Sequence, residues 1–280
     1  MKRFYTTLLL TLACLASAWA QRVIEVSTAQ ELQRAILTNY KARIKLVDDI
    51  DISDLGKICD TFAGTIEGGY TIIDSLGREK IAPHVLKGKR GQGRGADHYL
   101  FETLDHAMVE NVAFERFRVE DDDNNDLGVV ARRAIGCAFR NFTMAGVSVF
   151  CNHDNAGTIV GVAEDCAFDN VKILDCSVTV DGITAGGIVG SSKRCNYTAC
   201  ATNVYTCVFA DGRDGFFFST NTANSGGMAG CSDNDNFLLC DNGGWVGGNQ
   251  DKVGGIVGNS LSSHYTACST FTLCSIMLQV

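Results

Sequence analysis

The 280-residue chain carries 24 basic and 32 acidic residues, a formal charge of −8, with 30 glycines, 13 cysteines and a single proline, Pro83. That balance disfavours nucleic acid or an anionic membrane surface as a broad partner and leaves a neutral or cationic one easier to accommodate. The length is enough for one elongated domain or two compact ones with a sizeable core.

The first twenty residues have a secretory layout: Lys2 and Arg3, an apolar run from Leu8 to Ala16, then Ala18 and Ala20 in an A-x-A pattern. Cleavage is expected before Gln21, which takes the formal charge from −8 to −10 and the cysteine count from 13 to 12. The apolar run is far shorter than the roughly 20 residues that span a bilayer, and no later segment supplies a span. The exported chain is then secreted, periplasmic or at the cell surface. Cys14 as a lipid-modified cysteine is a weaker alternative, because Thr11 stands where such sites want leucine.

Residues 21–97 read as an N-terminal cap and first coils. Val23-Ile-Glu-Val is extended, and Ser27 with Gln30 has the spacing of a capping box. Leu32, Ala35 and Ile36 give the following helix one apolar face, suited to covering an open solenoid end. Ile44-Lys-Leu-Val and Gly64-Thr-Ile-Glu-Gly-Gly-Tyr-Thr-Ile-Ile read as coil strands. The basic stretch Arg78, Lys80, Lys87, Lys89, Arg90 and Arg94 reads as a solvated glycine-rich excursion, with contact to an acidic glycan as the alternative.

Residues 98–280 repeat. Gly128, Gly157, Gly186, Gly226 and Gly254 open similar segments at spacings of 29, 29, 40 and 28, and eleven residues after each comes a ring: Phe139, Phe168, Tyr197, Phe237 and Tyr265. Apolar residues follow each glycine at the second and third positions. A degenerate earlier copy begins near His98, making about six. The segments are short, β-branched and aromatic, bounded by Gly, Asn and Asp, and lack a helical period. They predict one coil of short strands per repeat, paired with the coils above and below, in which equivalent side chains stack. The fold class is therefore all-β, a right-handed parallel β-helix with a short N-terminal capping helix. A ladder of this kind tolerates little proline.

Cysteines recur in columns, Cys137, Cys166 and Cys195 at nine residues after the glycine and Cys200, Cys240 and Cys268 at fourteen. Small buried core thiols are the favoured reading. Disulfides remain the alternative for an exported chain, since stacked Cα atoms lie within bridging distance.

Gly186-Gly-Ile-Val-Gly190 and Gly254-Gly-Ile-Val-Gly258 resemble the GLUG-motif repeats of bacterial surface proteins. Ser27-Thr-Ala-Gln-Glu-Leu-Gln, Asp49-Ile-Asp-Ile-Ser53 and Phe62-Ala-Gly-Thr-Ile-Glu-Gly-Gly-Tyr-Thr-Ile72 resemble the lead-in of the same proteins. The resemblance implies a β-helix of pectin-lyase-like shape on adhesin-like or carbohydrate-associated proteins, and supplies no catalytic residues. The chain departs from the pattern at Gly128-Val and Gly157-Thr, and in its surplus of cysteines.

No catalytic residue is assigned. The oxygen-rich run containing Asp121, Asp122, Asp123 and Asp126 suits calcium, against a solvated turn as the plainer reading. Asp211, Asp214, Asp233 and Asp235 read as a second loose group in loops. Trp245, with Phe216, Phe217 and Phe218 in the insertion of the 40-residue spacing, offers sugar-binding platforms, unless those rings plug the coil. The expected function is non-catalytic binding to glycans, host or cell surfaces. A polysaccharide lyase or glycosidase is the alternative, and a structural role in an envelope assembly a third reading. The apolar Leu273-Cys-Ser-Ile-Met-Leu-Gln-Val280 suggests that this end continues or meets a partner.

Overall fold

The computed structural model describes residues 22–89, 99–121, 126–152, 154–210, 224–248, 252–271 and 274–276. One coil consists of Val160–Glu164, Ala167–Leu174, Ser177–Val180 and Thr184–Gly186, and each strand pairs in parallel with its counterpart one repeat away. Four sheets result. Sheet one stacks nine strands from Val23–Val26 to His264–Thr266, with further strands branching from that path. Sheet two runs from Cys59–Phe62 to Val257–Leu261, sheet three from Asn155–Gly157 to Lys252–Gly254, and sheet four from Arg118–Asp121 to Cys274–Ile276. The chain is a parallel β-helix. Its degenerate early copy is in register too, with Phe101 opposite Ala131 and Val109 opposite Phe139.

The five rings form one column inside the coil. Phe139, Phe168, Tyr197, Phe237 and Tyr265 stack at successive centroid distances of 5.1, 4.8, 4.5 and 5.1 Å, with planes within 9° of parallel. The first four are buried, and the Tyr197 hydroxyl lies inside the coil with no hydrogen-bond partner.

The glycine motif marks the tightest corner, between sheets three and two. A Cβ on Gly186, Gly226 or Gly254 would sit 1.9 Å from the carbonyl oxygen three residues on, and one on Gly187 would lie 2.0 Å from the Gly227 oxygen. Backbone packs on backbone here, so only glycine fits.

The other corners are single residues in the left-handed region. They recur at Asp165, Arg194 and Asn234, at Asn141, Asn170, Ala199 and Leu239, and at Gly146 and Asp175, with φ between 47° and 63°. Asparagine tolerates this conformation better than most residues. It also ladders: Asn170 Nδ2 donates to Asn141 Oδ1 (2.9 Å), and Asn141 Nδ2 to Asn111 Oδ1 (3.0 Å).

The inner cysteines follow these corners. Cys137, Cys166, Cys176, Cys195, Cys200, Cys240 and Cys268 each succeed a left-handed residue and point a thiol at the carbonyl two residues earlier, at 3.2–3.6 Å. Ser263 makes the same contact with the Leu261 carbonyl at 3.2 Å. These carbonyls already accept a backbone amide from the neighbouring coil, as Glu164 O does from Gly136 N at 2.9 Å, so the surplus cysteines act as small core side chains whose thiols add a second, weak contact. The eleven cysteines from Cys59 to Cys268 are free thiols.

Helix α1 (Ala29–Thr38) covers the first coil with Leu32, Ala35 and Ile36 buried. Its capping box sits one residue later than the Ser27–Gln30 spacing suggests. The Thr28 hydroxyl accepts from Glu31 N (3.3 Å), while the Glu31 carboxylate accepts from the Ser27 amide (2.9 Å). Glutamate wins over Gln30 because a charged acceptor makes the stronger bond to an amide.

The basic stretch also differs from its expected loop. Gly69–Ile73 turns back at Asp74–Gly77 to pair antiparallel with Glu79–Pro83, and residues 84–87 of the same strand then join the coil beside Val112–Glu115. Arg78 and Lys80 bind Asp74, and Lys87 binds Asp49. Arg90 and Arg94 lie outside the described residues.

Candidate ligand-binding face

Sheet four turns one side chain in two into the core. Val119, Val149, Val178, Val208 and Val246 form the inner row. The alternation leaves two outer rows, Arg118, Ser148, Ser177, Cys207 and Trp245 beside Glu120, Phe150, Thr179, Phe209 and Gly247. Four strand spacings separate Arg118 from Trp245, so this strip is roughly 19 Å long.

Gly247 decides how Trp245 lies. A Cβ there would be 2.3 Å from the indole, so glycine lets the ring fold flat across the sheet. It stacks parallel to Phe209, with centroids 6.0 Å apart and planes 8° from parallel. Both rings are half-buried. Trp245 therefore faces outward instead of plugging the coil.

Further along the strip is a depression of about 270 Å³, lined by Arg118, Glu120, Ser148, Phe150, Ser177 and Thr179. Arg118 is bonded to Glu120, and Ser177 Oγ donates to Ser148 Oγ at 3.0 Å. One ring, three hydroxyls and a mutually neutralised ion pair suit a polyhydroxylated ligand without strong charge. A larger hollow, about 720 Å³, lies at the cap between Val23–Glu25 and Thr38–Asn39, but has no aromatic lining.

The acidic run is placed only in part. Asp122 and Asp123 lie outside the described residues, as do Phe216, Phe217, Phe218, Asp211 and Asp214. Asp121 ends a sheet-four strand opposite Cys151. Asp126 is buried at 8 % exposure, accepts from Asn155 Nδ2 at 2.7 Å and meets Arg133 at 3.3 Å. Asn155 in turn accepts from Thr184 Oγ1, so Asp126 heads a polar ladder and its carboxylate is already engaged. Among the described residues no three His, Cys, Asp or Glu side chains converge as a metal site.

Asp235 departs most from expectation. Read as a loop residue, it is fully buried, nine residues after Gly226 and thus in the column of Cys137, Cys166 and Cys195. In that column the Cys137 and Cys166 amides each face the next thiol at 3.4 Å, whereas the Cys195 amide donates to Asp235 Oδ1 at 2.7 Å. Ser192 Oγ donates to its other oxygen at 2.5 Å. Burial pushes the Asp235 carboxyl above its usual range, and these hydrogen bonds offset only part of that. Burial likewise pushes the Cys176 thiol up to about 12.

Phe150 and Phe209 were not singled out by the sequence reading. Their signal was available, since both stand one residue after an inward valine of the same column, at Val149 and Val208.

No described helix is long and apolar enough to cross a membrane. No protein-family model matches the chain, and no curated protein does. Among solved structures an IgA1 protease is similar, at 13% identity and a TM-score of 0.49, over 90% of this chain and 20% of that one. The chain thus spans about a fifth of the length of that protein.

Proposed function

We propose that the chain is an exported binding protein, secreted or held at the cell surface as its GLUG-like repeats imply, that takes carbohydrate along the outer face of sheet four. The supporting observation is the parallel Phe209–Trp245 pair, continued by the hydroxyl-lined depression beside Phe150. Aromatic faces offer apolar contact to the C–H face of a sugar ring while leaving its rim in water. The paired Arg118 and Glu120 favour a glycan of low charge over a polyuronate. A lyase centred on Asp121, Asp122, Asp123 and Asp126 draws less support, because Asp126 is committed to Asn155 and Arg133.

The test is a glycan array followed by calorimetry, comparing the chain with Trp245→Ala. Loss of one stacking ring is expected to weaken binding about tenfold. No glycan above background, or unchanged affinity in Trp245→Ala, overturns the proposal.

A further inference from the structure

We infer that sheet four takes a straight, unbranched polysaccharide of extended linkage, laid along the solenoid axis with one sugar per coil, an inference that rests on the carbohydrate-binding reading of this face. The outer rows are straight because the strands of this sheet pair in parallel register, coil after coil. The coils also stack with little rotation. Successive rings of the inner column lie within 9° of parallel, whereas neighbouring strands of an ordinary sheet turn by roughly 20–25°. A stiff chain can therefore keep contact with every coil it crosses. A chain that winds, such as an α-(1→4)-glucan, curls off such a surface.

The groups on this face follow the period of an extended chain. The second outer row reads Phe150, Thr179, Phe209 and Gly247, and the Trp245 indole crosses from the first row onto Gly247, where a Cβ would meet it at 2.3 Å. Four coils thus present ring, hydroxyl, ring and ring. Phe150 and Phe209 stand two strand spacings apart, roughly 9.6 Å. In an extended β-(1→4)-linked chain each sugar advances by close to one strand spacing and is turned over relative to the last. Every second sugar then shows the same face, so the two phenylalanines meet equivalent faces. Thr179 takes the sugar between them, with the bonded Ser148 and Ser177 hydroxyls beside it in the first row to meet the sugar's rim. Phe209 and Trp245, with centroids 6.0 Å apart, carry the next two sugars. Full contact therefore needs four sugars, one for each of Phe150, Thr179, Phe209 and Trp245.

The experiment is calorimetry of the chain from Gln21 onward, which retains every described residue, with β-(1→4)-linked oligomers of glucose, mannose, xylose or N-acetylglucosamine from dimer to hexamer. Oligomers of α-(1→4)-linked glucose of the same lengths are the comparison. Affinity for at least one β-linked series is expected to rise about tenfold from dimer to tetramer, the gain of one further stacking ring, and to level off beyond the pentamer, where the strip ends. Phe150→Ala should abolish that rise and leave the dimer, which seats on Phe209 and Trp245, at the parent's affinity. Cys207, an exposed free thiol opposite Trp245 in the first row, reports occupancy of this face without any substitution. Bound tetramer should slow its alkylation and leave that of Cys231, on the outer side of sheet two, unchanged. Equal affinity for dimer and tetramer, equal binding of the α-linked series, or an equal loss for dimer and tetramer in Phe150→Ala overturns the inference while leaving glycan binding intact. Array hits confined to branched or α-linked glycans do the same, and absence of every glycan overturns both readings.

Discussion

Replacing Phe168 by alanine tests whether the ring column holds the coils together. Phe168 is fully buried between Phe139 at 5.1 Å and Tyr197 at 4.8 Å, both nearly parallel to it. Truncation removes the burial of the ring, worth about 2–3 kcal/mol. It also removes two stacking contacts of about 0.5–1.5 kcal/mol each, for an expected loss of about 3–6 kcal/mol. Tyr265 provides the internal comparison. It is 43 % exposed and has Phe237 as its ring neighbour, so Tyr265→Ala is expected to cost about 1–2 kcal/mol. Urea unfolding followed by circular dichroism measures both. Each coil of a solenoid couples mainly to its neighbours, so Phe168→Ala should also broaden the transition as the two flanking segments unfold separately. Equal losses in the two variants, or a loss below about 1.5 kcal/mol for Phe168→Ala, would refute a continuous column as the main cohesive element.

Two further substitutions probe the interior. Asp235 has its pKa raised by burial, so its stabilising contribution is complete at pH below the ordinary aspartate value and is lost as pH rises through the folded-state value. Asp235→Asn keeps the bond from Cys195 N at Oδ1 and reverses the other, Nδ2 donating to Ser192 Oγ, without a charge. Its melting temperature should therefore pull ahead of the parent's from pH 4 to pH 8, and an Asn variant no more stable at neutral pH contradicts this. Gly187→Ala places a methyl 2.0 Å from the Gly227 oxygen and should cost more than about 2 kcal/mol, whereas Gly146→Ala, with open space around it, should cost only about 1–2 kcal/mol of left-handed strain. Equal denaturation midpoints for the two would count against the backbone-on-backbone corner.

The inner columns were legible in the sequence because stacking repeats the same demand at each level. A ring eleven residues after the glycine has one place to go. Outer rows carry no such demand, so Phe150 and Phe209 alternate with Thr179 and Gly247 without a visible period. Asp235 was misread for a different reason: residue type suggested solvent, while its offset from Gly226 matched Cys195 and placed it inside. Position outranked chemistry there. The hairpin was hidden by Gly64–Ile73, whose first half is a coil strand and second half one arm of that hairpin. The Asp74-Ser-Leu-Gly77 turn between two apolar runs was the sign that the chain reverses.

The corner between sheets four and three has a consequence for how this architecture accepts change. Spacing from Gly186 to Gly226 exceeds that of the two preceding repeats by eleven residues, yet Val180 still faces Ala210 on one side and Thr184 still faces Asn224 on the other. Ten of the extra residues are thus absorbed at this vertex and one between Thr202 and Cys207, and none propagates into the ladders. That vertex is a port: foreign peptides grafted between Ala210 and Asn224 should be displayed beside the aromatic strip while the scaffold keeps its register.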